Sequence, residues 1–275
     1  MLKRQVDRFI DQRIGTALGP SGFRRVAQGV FRKAWSGGFD QVVVMLVNHQ
    51  PRFRIDMSLD VRLDEVEVLA TKFDLRGSPQ HVAGSVTTMT KMGQLRSGRV
   101  PYVPFYDVSS EHDLSNAMVD FEAYMATNGL ALFEMLHDEA YVERTFNEYP
   151  LVECVHCVNE VRRVVRGLVL VRRVRPEAFE DLVGFYRDSC VARFSAKDLK
   201  HVRDLVICLE PTSLALAGID ALLTRLRDDR RHVRHAKFGL GEVLRELDGG
   251  EKLEVRFSGE VESRVLLARF LTDEP

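Results

Sequence analysis

The strictest pattern in the chain is an alternation of apolar and polar residues over residues 53–64. Successive side chains of a β-strand point to opposite faces, so a period of two predicts a strand with one buried face and one solvated face. The preceding run, residues 41–49, is apolar at nearly every position, which is typical of a strand covered on both faces. Only residues 50–52 separate the two runs. We therefore expect a hairpin at the centre of an antiparallel sheet.

The segments around this pair indicate a mixed α+β protein. Residues 2–17 have apolar positions at helical spacing and predict an amphipathic helix that packs on the sheet. Residues 23–35 favour a strand, although Gly29 interrupts it. The alternation shifts by one position after Asp64, which a β-bulge or a bend near Asp64 and Glu65 would explain. A capping-box sequence at Ser110–Asp113 predicts the start of a helix.

Most segments beyond residue 150 have helical spacing, including residues 242–247, while residues 253–257 alternate as a strand. The valine-rich residues 151–174 fit either a strand or a helix. We expect an α+β fold in which an N-terminal helix packs on an antiparallel sheet and a mainly helical second half follows. The expected division is an α+β domain over residues 1–149 and a helix-rich region over residues 150–275, and the pattern leaves open whether the two share one core.

Composition limits the environment of the chain. Of its 275 residues, 45% are hydrophobic and 29% charged, which is ordinary for a soluble protein. No apolar run reaches the length of a signal peptide or of a membrane span, so we expect a cytoplasmic protein without membrane contact. The four cysteines are then expected to be free thiols. Nothing in the composition calls for a cofactor.

A resemblance covers roughly residues 2–145. It is carried by Gly22–Arg25, by Phe31–Trp35, by Val47–Gln50 before the alternating strand, and by Met92–Leu95. These short motifs resemble bacterial domain-of-unknown-function family 4304, although a tryptophan pair typical of that family is replaced by Tyr102, Phe105 and Tyr106. The resemblance implies an N-terminal helix against an antiparallel sheet. It implies no activity and carries over no functional residues.

The sharpest candidate for metal or redox chemistry is Cys154-Val-His-Cys157. Two cysteines at this spacing can bind zinc or cycle as a dithiol, and His156 would be a third ligand. A structural zinc site needs four ligands, and the chain has no second pair of this kind. We interpret Cys154, His156 and Cys157 as ordinary buried residues and expect no metal site.

The charge of the chain is uneven. Residues 100–160 contain twelve acidic residues and one arginine, whereas residues 161–175 contain six arginines and no acid. An acidic surface can attract a basic protein partner. The candidate partner-binding residues are the acids and aromatics at the start of this region: Asp107, Glu111, Asp113, Asp120, Glu122, Tyr102, Phe105 and Tyr106.

These observations lead to three functional hypotheses. The first is a non-enzymatic protein-binding module, with immunity proteins as an analogy. The second is a small-ligand-binding protein or enzyme with a pocket between the sheet and the second-half helices, which would gather His49, Asp56 or His81 with the Cys154 region. The third, less favoured, is nucleic-acid binding through residues 161–175 and 225–237. The sequence lacks P-loop, G-x-S-x-G and H-E-x-x-H motifs, which favours a non-enzyme without excluding an enzyme. It does not predict an oligomeric state.

The aspartates of the alternating strand, Asp56, Asp60 and Asp64, are interpreted as part of a solvated face of mixed charge. Residues four apart on a strand are separated by about 13 Å, too far to share a metal ion.

Overall fold

The computed structural model of the chain describes residues 3–49, 52–72, 83–97, 105–189, 194–228, 232–248, 251–257 and 262–274. The chain divides into two compact units, Met1–Leu216 and Ala217–Pro275. Among the described residues, no helix combines the length and the apolar character that crossing a bilayer would require.

The first unit is built on a six-stranded antiparallel sheet, as the alternating pattern predicts. Its strands are β1 (Arg24–Ala27), β2 (Val30–Trp35), β3 (Gly38–His49), β4 (Arg52–Leu63), β5 (Thr88–Lys91) and β6 (Tyr106–Val108). The order is β1-β2-β3-β4-β5, and β6 also pairs with β4. The β3–β4 hairpin pairs continuously from Gly38 opposite Leu63 to His49 opposite Arg52. The predicted central hairpin is confirmed.

The side chains of the odd-numbered residues of β4 point into the main core. Ile55, Met57, Leu59 and Val61 are fully buried there. Helix α1 (Lys3–Leu18) begins and ends close to the predicted limits and buries Val6, Ile10, Ile14 and Leu18. The expected α+β class with an N-terminal helix and an antiparallel sheet is confirmed.

The opposite face of β4 is also buried, so the prediction that this face is exposed to solvent is wrong. Asp56, Ser58, Asp60 and Arg62 are between 1% and 7% exposed. These polar groups have partners inside the fold: Lys91 binds Asp56, and Arg62 binds Asp64 and Ser85. Burial of charged residues is tolerated when they are paired and hydrogen-bonded.

The helices of the first unit follow the sheet. They are α2 (Asp64–Thr71), α3 (Met92–Ser97), α4 (Glu111–Tyr124), a π-helical turn (Met125–Gly129), α5 (Leu130–Leu136), α6 (Glu139–Asn147), α7 (Glu160–Val174), α8 (Phe179–Ser189) and α9 (Ala196–Leu209). Short 3₁₀ turns lie at Gly19–Ser21 and Pro176–Ala178. The predicted capping box is confirmed, because Ser110 accepts from the Asp113 amide and Asp113 binds back to the Ser110 amide.

Three local predictions are corrected in this unit. Residues 24–35 form two strands, because Gly29 turns the chain with a φ of 67° and a side chain there would meet the Val44 carbonyl oxygen. The shift after Asp64 marks the start of α2 and no bulge, since Asp64, Glu65 and Glu67 supply the acidic first turn that a helix favours. The valine-rich segment becomes helix α7 from residue 160, and it packs against α2 and α6 within this unit.

The second unit follows with α10 (Leu216–Asp228) and a five-stranded antiparallel sheet. The strands are β7 (His232–His235), β8 (Gly239–Leu247), β9 (Lys252–Phe257), β10 (Arg264–Leu267) and β11 (Leu271–Glu274), with a 3₁₀ turn at Ala268–Phe270. Their order is β10-β9-β8-β7-β11, so the last strand returns to pair with the first. Val233, Leu253, Val255 and Phe257 form its core.

The second half contains the expected helices, but the helix predicted over residues 242–247 is wrong. The apolar spacing of Val243, Leu244 and Leu247 fits a helix, yet this segment lies between two strands and pairs with both. Gly239 and Gly241 lie at the start of β8.

Candidate functional site

A cavity of about 410 Å³ lies between strand β5 and the N-terminal half of helix α7. Small-molecule sites commonly have volumes of roughly 300–1,000 Å³. We call it the β5–α7 cavity. Its lining consists of Val86, Thr87, Met89, Lys91 and Gln94 on one side and Cys157, Val158, Asn159, Arg162 and Arg166 on the other.

Two regular periodicities place these side chains. On β5 and the residue before it, Thr87, Met89 and Lys91 alternate with buried threonines and therefore point to one face of the sheet. On α7, Arg162 and Arg166 are four residues apart and project from the same side of the helix. Asn159 begins the helix, with its side chain accepting a hydrogen bond from the Arg162 amide.

Arg166 is held in the cavity wall by a buried ion pair. Its Nε and Nη2 donate to the two carboxylate oxygens of Glu67 over 2.6 and 2.8 Å. The Thr87 hydroxyl donates to the same carboxylate over 3.1 Å. Burial alone would raise the pKa of Glu67, but the charge and hydrogen bonds of Arg166, with those of Ser85 and Thr87, hold that pKa below its usual range. The pair is therefore ionised and its charges balance.

Lys91 connects the cavity to the buried carboxylates of β4. Its Nζ lies 2.9 Å from Oδ2 of Asp56. In the sheet register Lys91 stands opposite Ser58, between Asp56 and Asp60. The second carboxylate oxygens of Asp56 and Asp60 are buried and accept no hydrogen bond from the described residues. One lysine thus lies near two buried carboxylates.

Asp60 has the most perturbed carboxylate of this group. Burial raises its pKa to about 6, against hydrogen bonds from Ser58 and Gln41 and the charge of Lys91. Gln41 is itself fixed by Arg32, whose Nε and Nη2 donate to the Gln41 amide oxygen. Carboxylates with raised pKa values occur at functional sites, but also in structural networks.

Arg162 differs from the other two cations of the cavity. It is exposed and forms no ion pair with any residue that the structure describes. The first-turn amides of α7 lie beside it, and a helix N-terminus favours negative charge. The cavity therefore has two neutralised cations, one unpaired cation and apolar walls from Val86, Met89 and Val158, an arrangement that can bind one anionic group attached to an apolar body.

The Cys154–Cys157 loop borders this cavity without forming a metal centre. The Cys154 thiol contacts the Thr145 carbonyl and the Cys157 thiol contacts that of Asn159, so the sulfurs point to different partners. Burial raises the pKa of Cys157 to about 11, which keeps it a thiol. Among the described residues, no group of three or more potential ligands could hold a metal ion.

His156 attaches this loop to strand β5. Burial lowers the pKa of His156 to about 4, its Nδ1 lies 2.7 Å from the Thr90 hydroxyl, and its carbonyl accepts from the Met89 amide. The loop thereby covers the free edge of β5. Covering an edge strand protects it from pairing with other chains.

Many of the predicted partner-binding acids have partners within the chain. Asp107 lies 3.3 Å from Arg54, Glu122 lies 2.7 Å from Arg13, and Asp113 belongs to the capping box. Glu111 is exposed, and Asp120 is half-buried on the same helix.

Of the predicted partner-binding aromatics, Phe105 is buried and Tyr106 is half-buried. Tyr102 and His81 lie outside the described residues, and so does the side chain of His49. Of the predicted pocket residues, the structure brings Cys157 to the cavity wall and Asp56 to Lys91.

The arginines of residues 161–175 mostly serve the fold. Arg172 pairs with Glu210, Arg173 with Glu65 and Glu139, and Arg175 with Glu143. Arg163 is buried and donates to the Phe146 carbonyl in α6 and to the Tyr149 and Val152 carbonyls in the loop that precedes α7. In the described part of the chain, this leaves Arg162 without an acidic partner.

The sequence did not reveal Lys91, Arg162 and Arg166 as a group. The one available signal was the spacing of Arg162 and Arg166, which places both on one side of a helix. That spacing could not place the two arginines together, because the segment fitted a strand as well as a helix.

Comparison of the chain with family models, with curated proteins and with solved structures found no match. The resemblance to domain-of-unknown-function family 4304 therefore stays a prediction. The function has to be inferred from the geometry alone.

Proposed function

We propose that the protein binds a small organic anion in the β5–α7 cavity. The observation that carries this proposal is the position of Arg162, a cation at the cavity without an acidic partner among the described residues. Charge-assisted hydrogen bonds to a carboxylate or phosphate are about twice as strong as neutral ones. The apolar wall contributes contact with the remainder of the ligand.

The charge balance favours a monoanion. Glu67 and Asp56 already neutralise Arg166 and Lys91. A ligand with one negative charge would satisfy Arg162 and leave none of the three cations of the cavity without a counter-charge. Glu160 lies in the first turn of α7 but does not line the cavity.

The test uses anilinonaphthalene sulfonate, a fluorescent aromatic monoanion, as the probe. We expect saturable binding that is weakened between about tenfold and about a hundredfold by Arg162→Met, since one charge-assisted contact contributes about 1.5–3 kcal/mol. Arg144→Met is the matched control, because Arg144 is likewise exposed and forms no ion pair with a described residue. Equal affinities in wild type and Arg162→Met would contradict the proposal.

A second candidate function, binding of a protein partner, is favoured by the loop between α6 and α7. Tyr149, Leu151 and Val152 are 65%, 62% and 62% exposed. Arg163 fixes the backbone of this loop through the carbonyls of Tyr149 and Val152. A rigid loop loses little conformational entropy on binding, and a compact group of exposed apolar side chains is typical of an interaction surface.

The chemistry of the loop defines the partner. Glu148 and Glu153 are exposed on either side of the apolar residues. A partner would present an apolar recess bordered by basic residues, in keeping with the basic protein expected from the acidic composition. Leu151→Asp should abolish a stoichiometric, salt-sensitive complex in a pull-down, whereas Val119→Asp, at a residue 52% exposed on α4, should not. A complex that survives Leu151→Asp would exclude this surface.

A further inference from the structure

Asp60 is a buried carboxylate beside the wall of the β5–α7 cavity. It is 1% exposed and stands opposite Met89 in the sheet register, while Lys91 stands opposite the nearby Ser58. Met89 and Lys91 both line the cavity. Residues directly opposite each other on antiparallel strands have Cβ atoms about 4.5–5.5 Å apart. A charge on Asp60 therefore lies close behind the cavity wall, although Asp60 itself does not line the cavity.

The charges of the cavity balance only when Asp60 is ionised. Among the described residues, the cations that line the cavity are Lys91, Arg162 and Arg166. Asp56 pairs with Lys91, and Glu67 pairs with Arg166. Asp60 is a third carboxylate, and the charge of Lys91 also acts on it. An ionised Asp60 therefore offsets the charge that Arg162 offers to a ligand, whereas a protonated Asp60 leaves that charge uncompensated.

The surroundings of Asp60 favour its protonated form. Nζ of Lys91 donates to Asp56 over 2.9 Å, so the nearest cation is already engaged by another carboxylate. Ser58 and Gln41 donate hydrogen bonds to Asp60, but neither carries a charge. Burial of a carboxylate without a counter-charge of its own is costly, and protonation removes that cost. In keeping with this geometry, burial raises the pKa of Asp60 to about 6.

Three other titratable groups near the cavity keep one charge state between pH 5 and pH 8. Burial acts to raise the pKa of Glu67, but the charge and hydrogen bonds of Arg166 outweigh it and hold that pKa below its usual range. Burial lowers the pKa of His156 to about 4 and raises the pKa of Cys157 to about 11. Glu67 therefore stays ionised in this range, and His156 and Cys157 stay neutral.

Two further cations on this face of the sheet have other partners. Arg32 on β2 donates to the amide oxygen of Gln41, and Arg62 on β4 pairs with Asp64. Neither arginine lines the cavity. Both stay charged between pH 5 and pH 8, so they do not switch the cavity within this range. Asp60 is the group beside the cavity whose charge changes there.

We propose that protonation of Asp60 regulates the β5–α7 cavity, so that a monoanion binds more tightly in mildly acidic than in alkaline solution. This inference rests on the proposed function and adds its regulation. The carboxylate behind the wall repels the ligand only while it is ionised. A like charge within about 10 Å changes an affinity by on the order of tenfold. Because coupling between two binding sites is reciprocal, the ligand should also take up protons as it binds near pH 6.

The experiment measures the dissociation constant of anilinonaphthalene sulfonate at pH 5 and pH 8, since its sulfonate is ionised at both. Wild type should bind about tenfold more tightly at pH 5. The affinity of Asp60→Asn should change by less than about threefold between the two pH values and should exceed that of wild type at pH 8. Asp181→Asn is the matched control, because Asp181 is exposed on α8, and it should keep the full change. A general effect of pH on the charge of the protein would appear in all three proteins.

A second measurement detects the proton itself. Isothermal titration calorimetry at pH 6.5, in two buffers that differ in ionisation enthalpy, gives the number of protons taken up as the dye binds. Wild type should take up protons, and Asp60→Asn should take up fewer. A carboxylate with a purely structural role would not produce this difference.

Two results would overturn the inference and leave the proposed function in place. The first is Arg162-dependent binding by wild type with equal affinities at pH 5 and pH 8. The second is a pH dependence in Asp60→Asn equal to that of wild type. By contrast, absence of saturable binding at pH 5, or equal affinities of wild type and Arg162→Met at that pH, would refute the proposed function together with this inference. If circular dichroism shows that Asp60→Asn is unfolded, proton uptake by wild type decides the question, and its absence at pH 6.5 would overturn the inference.

Discussion

Asp60→Asn should stabilise the first unit at neutral pH and leave its stability almost unchanged in acid. Asp60 is 1% exposed, and one of its carboxylate oxygens accepts no hydrogen bond from the described residues. Burial raises its pKa from 3.8 to about 6. Asparagine has nearly the same shape, can accept hydrogen bonds from Ser58 and Gln41, and does not ionise.

The size of the effect follows from linkage between protonation and folding. The folded chain binds the Asp60 proton more tightly than the unfolded chain, so the contribution of Asp60 to stability falls as pH rises from about 3.8 to about 6 and is constant above that range. A pKa difference of this size corresponds to about 3 kcal/mol, because each pKa unit is about 1.4 kcal/mol. The gain of Asp60→Asn should thus approach about 3 kcal/mol at pH 8 and be about half as large near pH 5.

Urea denaturation monitored by tryptophan fluorescence measures this quantity. The chain contains a single tryptophan, Trp35, which lies in β2 of the same sheet as Asp60. Asp181→Asn is the control, since Asp181 is exposed and its replacement should change the free energy of unfolding by no more than about 0.5 kcal/mol at either pH.

Two outcomes would refute the reasoning. Asp60→Asn could destabilise the protein at pH 8, which would mean that the carboxylate makes a favourable interaction that outweighs its desolvation. Alternatively, the gain could be the same at pH 5 and pH 8, which would mean that Asp60 does not titrate between them. A pH-dependent gain would show that the native sequence retains a destabilising charge, as functional sites often do.

Two further predictions concern the framework of the β5–α7 cavity and the sheet. Glu67→Gln should lower the free energy of unfolding by about 3–5 kcal/mol, because it leaves the buried Arg166 guanidinium without its counter-charge. Urea denaturation measures this loss. A loss below about 1 kcal/mol would show that Arg166 can reach solvent. Gly29→Ala should lower the free energy of unfolding by about 1–3 kcal/mol, because the residue has a φ of 67° and its new Cβ would lie 2.3 Å from the Val44 carbonyl oxygen. A thermal unfolding midpoint equal to that of wild type would contradict the geometry of this turn.

The parts of the fold that local pattern determines were predictable. The central hairpin follows from alternation over twelve residues, α1 from helical spacing, and the start of α4 from its capping box. Each of these signals lies within one short segment. Period-2 alternation assigns side chains to the two faces of a strand, but it does not say what covers each face. The burial of Asp56 and Asp60 could therefore not be predicted from the alternation.

The second unit shows how tertiary pairing overrides local spacing. Residues 242–247 have apolar positions that suit a helix, but the strand that contains them pairs with β7 and β9. Strand propensity depends strongly on such neighbours. A prediction from one window of sequence could not include them.

The candidate site was unpredictable for a related reason. Its central ion pair joins Glu67 to Arg166, which are 99 positions apart, and Lys91 reaches Asp56 across 35 positions. Composition did show that six arginines follow an acidic region. It could not show that most of these arginines form ion pairs within the chain, or that Arg162 forms none with a described residue.

Under the proposed function, the pairing of charges around the β5–α7 cavity would determine which ligands it selects. Arg166 and Lys91 retain their counter-charges in the fold, so they shape the wall and donate directional hydrogen bonds without adding net positive charge. A monoanion meets one uncompensated cation, Arg162, whereas a dianion would bring a second charge into an apolar-lined space, where desolvation costs several kcal/mol per ion. Above pH 6 the ionised Asp60 carboxylate, on the same face of the sheet as Lys91, would weaken the binding of any anion and would weaken that of a dianion most. Under the proposed function, discrimination between singly and doubly charged ligands would therefore arise from the internal ion pairs as much as from Arg162 itself.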